Sequence, residues 1–505
     1  MKPIRIFLFL FIVLFILLII SLVFPENGIV INELKKIKFP KPEQIFTINK
    51  SSYKDITAIT AILDSAEINR KNYFEIIYNY NHNFYNIDFD LLKDPITHTK
   101  KKTSQKKSSS NSSFIKTHPL EYANNNKTLL YSFFETLKTL KSSNELIRIL
   151  HYGDSQIEGD RITSYIRNEL QKQFGGSGIG MFPVNIISEY VLSIKHDISK
   201  NWQRYNVQDI KDGNIDHKRM GIMLSFSRYS PPQLQDKGTI YESWINIKKS
   251  DIAYSLAKSF TKCRLFYGFN RKPLVIEIFK NDKLYDAEIL LPNNKLQVDE
   301  WNFNEPGTEL SIRFKGEDSP DIYAISLDHS RGIAVDNIPL RGSKGLDFTQ
   351  TDMGFLKEMY ETLNVKLIIL QFGVNLVPLM ADDYTFYEEQ LYNELVALKK
   401  LNPKIPIIVI GISDMSRSKD GRYETFPQIK KIRQAQKTAT FKAGCIFWDT
   451  YQAMGGENSM PSWVYNNPPL ARKDFTHFTY TGSKLISKIF YNSLIRDYNE
   501  YISKH

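Results

Sequence analysis

Ser155 follows Gly153 and Asp154 at the end of a short β-branched, apolar run over 146–152 (LIRILHY), and a helical pattern then continues to about position 173. A serine on the turn between a buried strand and a helix exposes its hydroxyl at the carboxyl edge of a sheet, where backbone N–H groups can face an oxyanion. The turn also has a plainer reading, in which Asp154 or Ser155 caps the helix and Glu158 completes a capping box. Three further segments carry complementary chemistry. In 336–343 (DNIPLRGS) a strand end runs into a glycine turn, where Gly342 can offer its N–H to an oxyanion. The apolar run 365–372 (VKLIILQF) leads into Gly373-Val374-Asn375, placing a neutral amide donor at a strand end. Asp474-Phe475-Thr476-His477 lies in a polar loop before the last helical pattern. There His477 can take the serine proton and return it to a leaving group, while Asp474 holds the imidazole in the required tautomer. Singly, these residues read as well as a structural glycine, an Asx turn and a surface histidine.

Taken in order, Ser155, Gly342, Asn375 and His477 with their flanking residues resemble the four sequence blocks of the SGNH (GDSL-like) hydrolase superfamily. The resemblance covers about 145–184 and 330–497. Its loosest block is the second, since Gly332 and Gly345 also lie nearby. It implies a flavodoxin-like α/β domain of three layers, a parallel sheet with helices on both faces. It also implies that Ser155 attacks an ester carbonyl with His477 as base and Asp474 as orienter. The N–H groups of Ser155 and Gly342 and the amide of Asn375 would stabilise the oxyanion, and water would resolve the acyl-enzyme without metal or cofactor.

Residue pattern supports such a domain. The runs 365–372, 405–412 and 444–449 are continuously apolar, as strands buried on both faces are, and helical stretches at about 381–401, 426–441 and after 481 separate them. A helix with apolar positions Leu129, Leu130, Phe133, Phe134 and Leu137 is expected to end near Ser142. Alternating strands and helices predict a parallel sheet covered on both sides. Between its two parts, 115–184 and 331–505, the segment 185–330 holds many short strand-like pieces parted by Asn, Asp, Gly and Pro, which predicts an inserted β-sandwich.

The chain has 505 residues, a length of about three domains. Its 42% hydrophobic and 24% charged residues exclude wholesale disorder, and its two cysteines, Cys263 and Cys445, are too few for a disulfide framework or a Cys-based zinc site. Positions 6–24 carry no charge and follow Lys2 and Arg5. At about 1.5 Å per residue, this run predicts a transmembrane helix with the short N-terminus in the cytoplasm and the rest exported. The absence of a small-residue cleavage site at 21–25 favours an uncleaved, single-pass anchor, here 1–25. A membrane-proximal stalk, partly helical, is expected over 26–97. A solvated Lys/Ser-rich linker is expected over 98–114 (HTKKKTSQKKSSSNSSF). Lys100, Lys101, Lys102, Lys106 and Lys107 in this linker account for nearly half of the net +11, which argues against nucleic acid as a partner.

Export, a tether and an inserted β-sandwich together resemble the O-acetylesterases of the superfamily that act on peptidoglycan or other envelope glycans, with a carbohydrate-binding-like module in the insertion. Trp202, Tyr205, Trp244 and Trp301 are candidates for stacking on sugar rings, or else core residues of the sandwich. The expected partners are therefore an O-acylated envelope glycan and a bacterial membrane, with the catalytic domain on the periplasmic or extracytoplasmic side. Two alternatives stay open: an SGNH-like O-acetyltransferase subunit of an envelope glycan modification system, and a non-catalytic glycan-binding protein.

Overall fold

A computed structural model describes residues 3–25, 29–32, 35–37, 39, 53–63, 118–188, 190–233, 238–305, 309–419 and 421–505. Six strands form the sheet of the α/β domain: β1 (Leu120–Tyr122), β2 (Leu146–Gly153), β3 (Gly332–Pro339), β4 (Val365–Gln371), β5 (Ile407–Ile410) and β6 (Ile446–Trp448). Their spatial order is β3-β2-β4-β5-β6-β1. β2 to β6 are mutually parallel, and β1 adds an antiparallel edge against β6. Leaving β1 aside, the order is 2-1-3-4-5, the doubly wound flavodoxin-like arrangement, in which ligands bind beyond the carboxyl ends of the strands.

The continuous apolar runs are explained by the two-residue period of a strand buried on both faces. In β4, Ile368 and Leu370 enter one core while Leu367 and Ile369 enter the other. The first core is closed by helices α3 (Met353–Thr362), α4 (Thr385–Leu401) and α5 (Gln428–Lys442). The second is closed by α1 (Tyr131–Leu140), α2 (Thr163–Phe174) and α6 (Tyr480–Lys504). Phe133, Phe134, Leu137 and Leu140 of α1 are all buried, the helical spacing expected of a face packed on a sheet.

The segment between α2 and β3 folds as two antiparallel sheets around a core of its own. One sheet has the order Lys283–Leu290, Leu274–Lys280, Glu309–Gly316, Tyr241–Lys249, Ile194–Ile198. The other is centred on Lys262–Gly268 and Asp321–Asp328. Strand Gly178–Phe182, on the α/β side of the boundary expected at 184, pairs antiparallel with Asp321–Asp328 and so belongs to the second sheet. Trp202 and Trp301 are 6% and 4% exposed within this core, so neither offers the flat face expected of a sugar platform. Tyr205 is buried as well, and Trp244 is half-buried. The indole N–H of Trp202 donates to the carbonyl of Trp244, and its ring meets Tyr229 and Phe314 edge-on, contacts that a core aromatic makes. The insertion is fastened to the parallel sheet by a buried network, in which Arg148 of β2 pairs with Asp328 and Asp336 while Arg264 also reaches Asp328.

Residues Pro3–Val23 form a helix of 21 residues, whose side chains are described from Phe7 onward. Among the described residues, no helix is long and apolar enough to cross a membrane. The expected linker 98–114 and most of the expected stalk 26–97 lie outside the described residues. Of the described parts of the stalk, Ile29–Asn32 and Lys35–Ile37 pair as antiparallel strands, and 53–63 packs on the α/β domain: Ile56 and Ile59 enter its second core, and Tyr53 stacks on Tyr465 at 5.8 Å.

Candidate active site

Register brings the three strand ends together. Gly153 of β2 is level with Pro339 of β3 on one side and Gln371 of β4 on the other, so the turns carrying Ser155, Gly342 and Asn375 leave the sheet side by side. Backbone bonds tie them: Leu340 N–H donates to Gly153 O at 2.7 Å, and Asp154 N–H donates to Gln371 O at 3.1 Å. Gly153 permits this approach, since a Cβ there would stand 2.8 Å from Gln371 O.

Ser155 Oγ lies 2.8 Å from His477 Nε2, and His477 Nδ1 lies 2.8 Å from Asp474 Oδ2. The carboxylate of Asp474 also accepts the backbone N–H groups of Thr476 and His477, both at 3.0 Å. Burial alone would raise its pKa, but these bonds and the His477 ring bring it down to about 2. Asp474 is therefore ionised across the neutral range and fixes His477 with Nδ1–H toward the carboxylate and Nε2 free to accept from the serine. The loop is held by Arg472 N–H donating to His477 O at 2.8 Å and by Phe475, buried and stacked on Tyr423 with ring centroids 3.6 Å apart.

Donors for an oxyanion lie on the adjoining turns. Among the described residues, the backbone N–H groups of Ser155 and Gly342 have no acceptor. The competing glycines are engaged: Gly332 N–H donates to Glu145 O, and Gly345 N–H donates to Ser343 Oγ. Gly342 is exposed with φ 79°, a left-handed turn conformation that favours glycine. Asn375 is half-buried; its amide donates one N–H to Ser343 O at 2.8 Å, which ties it to the Gly342 turn and leaves the second N–H.

Several supporting residues are not legible as functional in the sequence. Arg161 donates to the carbonyls of Ser155, Glu158 and Phe478, linking the Ser155 turn to the residue after His477. Gln156 donates to Thr476 O at 2.8 Å and clasps the histidine loop from the other side. Both stand close after Ser155, but only the fold brings 476 and 478 within their reach. Glu158, a candidate capping-box residue in the sequence, instead makes a two-pronged ion pair with Arg341, spanning the first two turns. Asp154 is buried and accepts Gln156 N–H at 3.0 Å; burial pushes its carboxyl up to about 7, against the pull of nearby N–H groups and of His477.

The sequence matches no protein-family model and no curated protein. Its fold is similar to that of a solved structure of a peptidoglycan O-acetylesterase, with a TM-score of 0.57 at 20% identity, covering 73% of this chain and 96% of that one. The chain has the SGNH hydrolase fold. A putative GDSL-like lipase from Bacteroides ovatus aligns over 60% of this chain and 98% of its own, with a TM-score of 0.23 at 12% identity. A salicylyl-acyltransferase from a tetracycline biosynthetic pathway aligns over 61% and 96%, with a TM-score of 0.27 at 10% identity. Within the SGNH domain, all four block residues expected from the sequence stand at the same sheet edge, and the hydrogen-bonded relay runs from Ser155 through His477 to Asp474.

Proposed function

We propose that this protein is a serine carboxylic ester hydrolase that removes O-acetyl groups from peptidoglycan or another cell-envelope polysaccharide. The observation that carries the reading is the relay from Ser155 Oγ to His477 to Asp474, set beside N–H groups of Ser155 and Gly342 that have no acceptor among the described residues. Ser155 Oγ attacks the acetyl carbonyl as His477 Nε2 takes its proton, and the carbonyl oxygen becomes an oxyanion facing the N–H groups of Ser155 and Gly342 and the amide of Asn375. Collapse expels the sugar alkoxide, which receives the proton from His477, and leaves an acetyl-serine. Water, deprotonated by the same imidazole, adds to this ester; acetate leaves and Ser155 regains its proton.

The shared fold with a peptidoglycan O-acetylesterase supports a glycan ester as substrate. The uncharged run 6–24 after Lys2 and Arg5 supports export to the extracytoplasmic face on an N-terminal membrane anchor. Acetate release from a panel of O-acetylated polymers tests the reaction: release by the wild type and none by Ser155→Ala is expected, with loss of serine-directed phosphonate labelling in the variant. Acetyl gain by a bare glycan from a donor, with negligible hydrolysis, would overturn the hydrolase reading. Retention in the membrane pellet after alkaline carbonate washing tests the anchor.

A further inference from the structure

A small cleft of about 50 Å³, open to solvent, runs between the SGNH domain and the inserted sandwich. Glu158 and Pro339 line it, three residues beyond Ser155 and three before Gly342, so it adjoins the two turns that flank the nucleophile. Its walls are largely apolar, built from Met181, Phe182, Pro183, Ile186, Ile187 and Val191. The charges that face it are balanced, with one exception. Glu158 is paired with Arg341, and Asp160 is paired with Arg167 and accepts from Ser193. Arg204, on strand Gln203–Asn206 of the insertion, is half-buried with its Nε enclosed, and among the described residues it has neither a hydrogen-bond acceptor nor an ion-pair partner for its guanidinium. Burial is the sole influence on it and lowers its pKa to about 10, so it is still a cation at neutral pH.

Holding a partly desolvated cation without a counter-charge is costly, whereas every other charge lining this cleft is neutralised in place. A guanidinium without a counter-charge, at a largely apolar wall whose other charges are paired, selects a planar anion carried on a carbon framework, and a carboxylate matches its fork geometry. We propose that the cleft is a substrate subsite for a carboxylate borne by the acetylated glycan, with Arg204 as the residue that determines this specificity. The inference rests on the esterase reading and narrows its substrate class to acidic glycans. The carboxylate can belong to a uronic acid ring or to an ether-linked acid side chain, and both present the same group to Arg204.

The test compares acetate release by the full-length protein from an O-acetylated polyuronate and from O-acetylated peptidoglycan, each beside a form whose carboxylates have been converted to carboxamides. At least one polymer is expected to show a KM about tenfold or more higher for the carboxamide form, equivalent to about 1.4 kcal/mol, and the polymer that does identifies the source of the carboxylate. Arg204→Gln should reduce that ratio toward one and Arg204→Lys should keep part of it. Rising ionic strength should shrink the wild-type ratio. Equal KM for charged and neutralised forms of both polymers in the wild type, a comparison that needs no variant, overturns the inference while leaving the esterase reading intact. An unchanged ratio in Arg204→Gln also overturns it. Failure of the wild type to release acetate from any polymer or from 4-nitrophenyl acetate overturns the esterase reading, and this inference with it.

Discussion

Asn375→Ala isolates the part of the proposed mechanism that depends on strand register. The amide of Asn375 has two N–H bonds, and one is spent on Ser343 O at 2.8 Å. The second is available to an oxyanion that exists only once Ser155 Oγ has bonded to the ester carbon. Losing one oxyanion donor typically costs about 100- to 1000-fold in rate, or about 2.7–4 kcal/mol of transition-state stabilisation. Because the ground-state carbonyl gains little from it, the loss should fall on kcat, with KM changed by less than about threefold. The bond to Ser343 is lost as well, which should lower stability by about 1 kcal/mol. Steady-state hydrolysis of 4-nitrophenyl acetate, normalised by phosphonate titration of intact Ser155, separates the rate effect from misfolded protein. A kcat reduced by less than tenfold, or a loss carried by KM, would refute the placement of Asn375 at the oxyanion.

Gly153→Ala places a Cβ 2.8 Å from Gln371 O, a backbone atom that cannot rotate away, and should destabilise the fold by about 1–3 kcal/mol, read as a lower urea midpoint. His151 is buried between Thr163 Oγ1 and the side chain of Gln371, and burial lowers its pKa to about 3. A base depressed by folding contributes stability that is full above its unfolded pKa of about 6.5 and declines as pH falls toward 3, so His151→Gln should flatten that decline in denaturation curves taken across the window. Arg161→Met removes the donors that bind the carbonyls of Ser155 and Phe478. As a positioning residue it should lower kcat by more than it raises KM, and an equal effect on both would count against that role.

The α/β layer was legible in the sequence because its strands are buried on both faces, and runs such as 365–372 must then be continuously apolar whatever surrounds them. The expected helices appear as Tyr131–Leu140, Thr385–Leu401, Gln428–Lys442 and Tyr480–Lys504, their ends within a few residues of the pattern. The helix Met353–Thr362 and the antiparallel edge Leu120–Tyr122 are not among the elements the sequence pattern predicts, the second because three residues are too few to show a period. Ser155, Gly342, Asn375 and His477 could be picked out because each type sits where a strand or loop ends, yet no spacing states that four such ends share one edge. That is decided by the order β3-β2-β4 and by the level register of Gly153, Pro339 and Gln371. The tryptophans show the reverse limit. Aromatic residues in short strands suit a sugar platform and a sandwich core alike, and only the facing of the two sheets puts Trp202 and Trp301 inside. Arg204 carries no motif at all. That it lacks a counter-charge among the described residues is a property of what the fold brings near it, and residue types along a chain record local preference but not the company that distant segments keep.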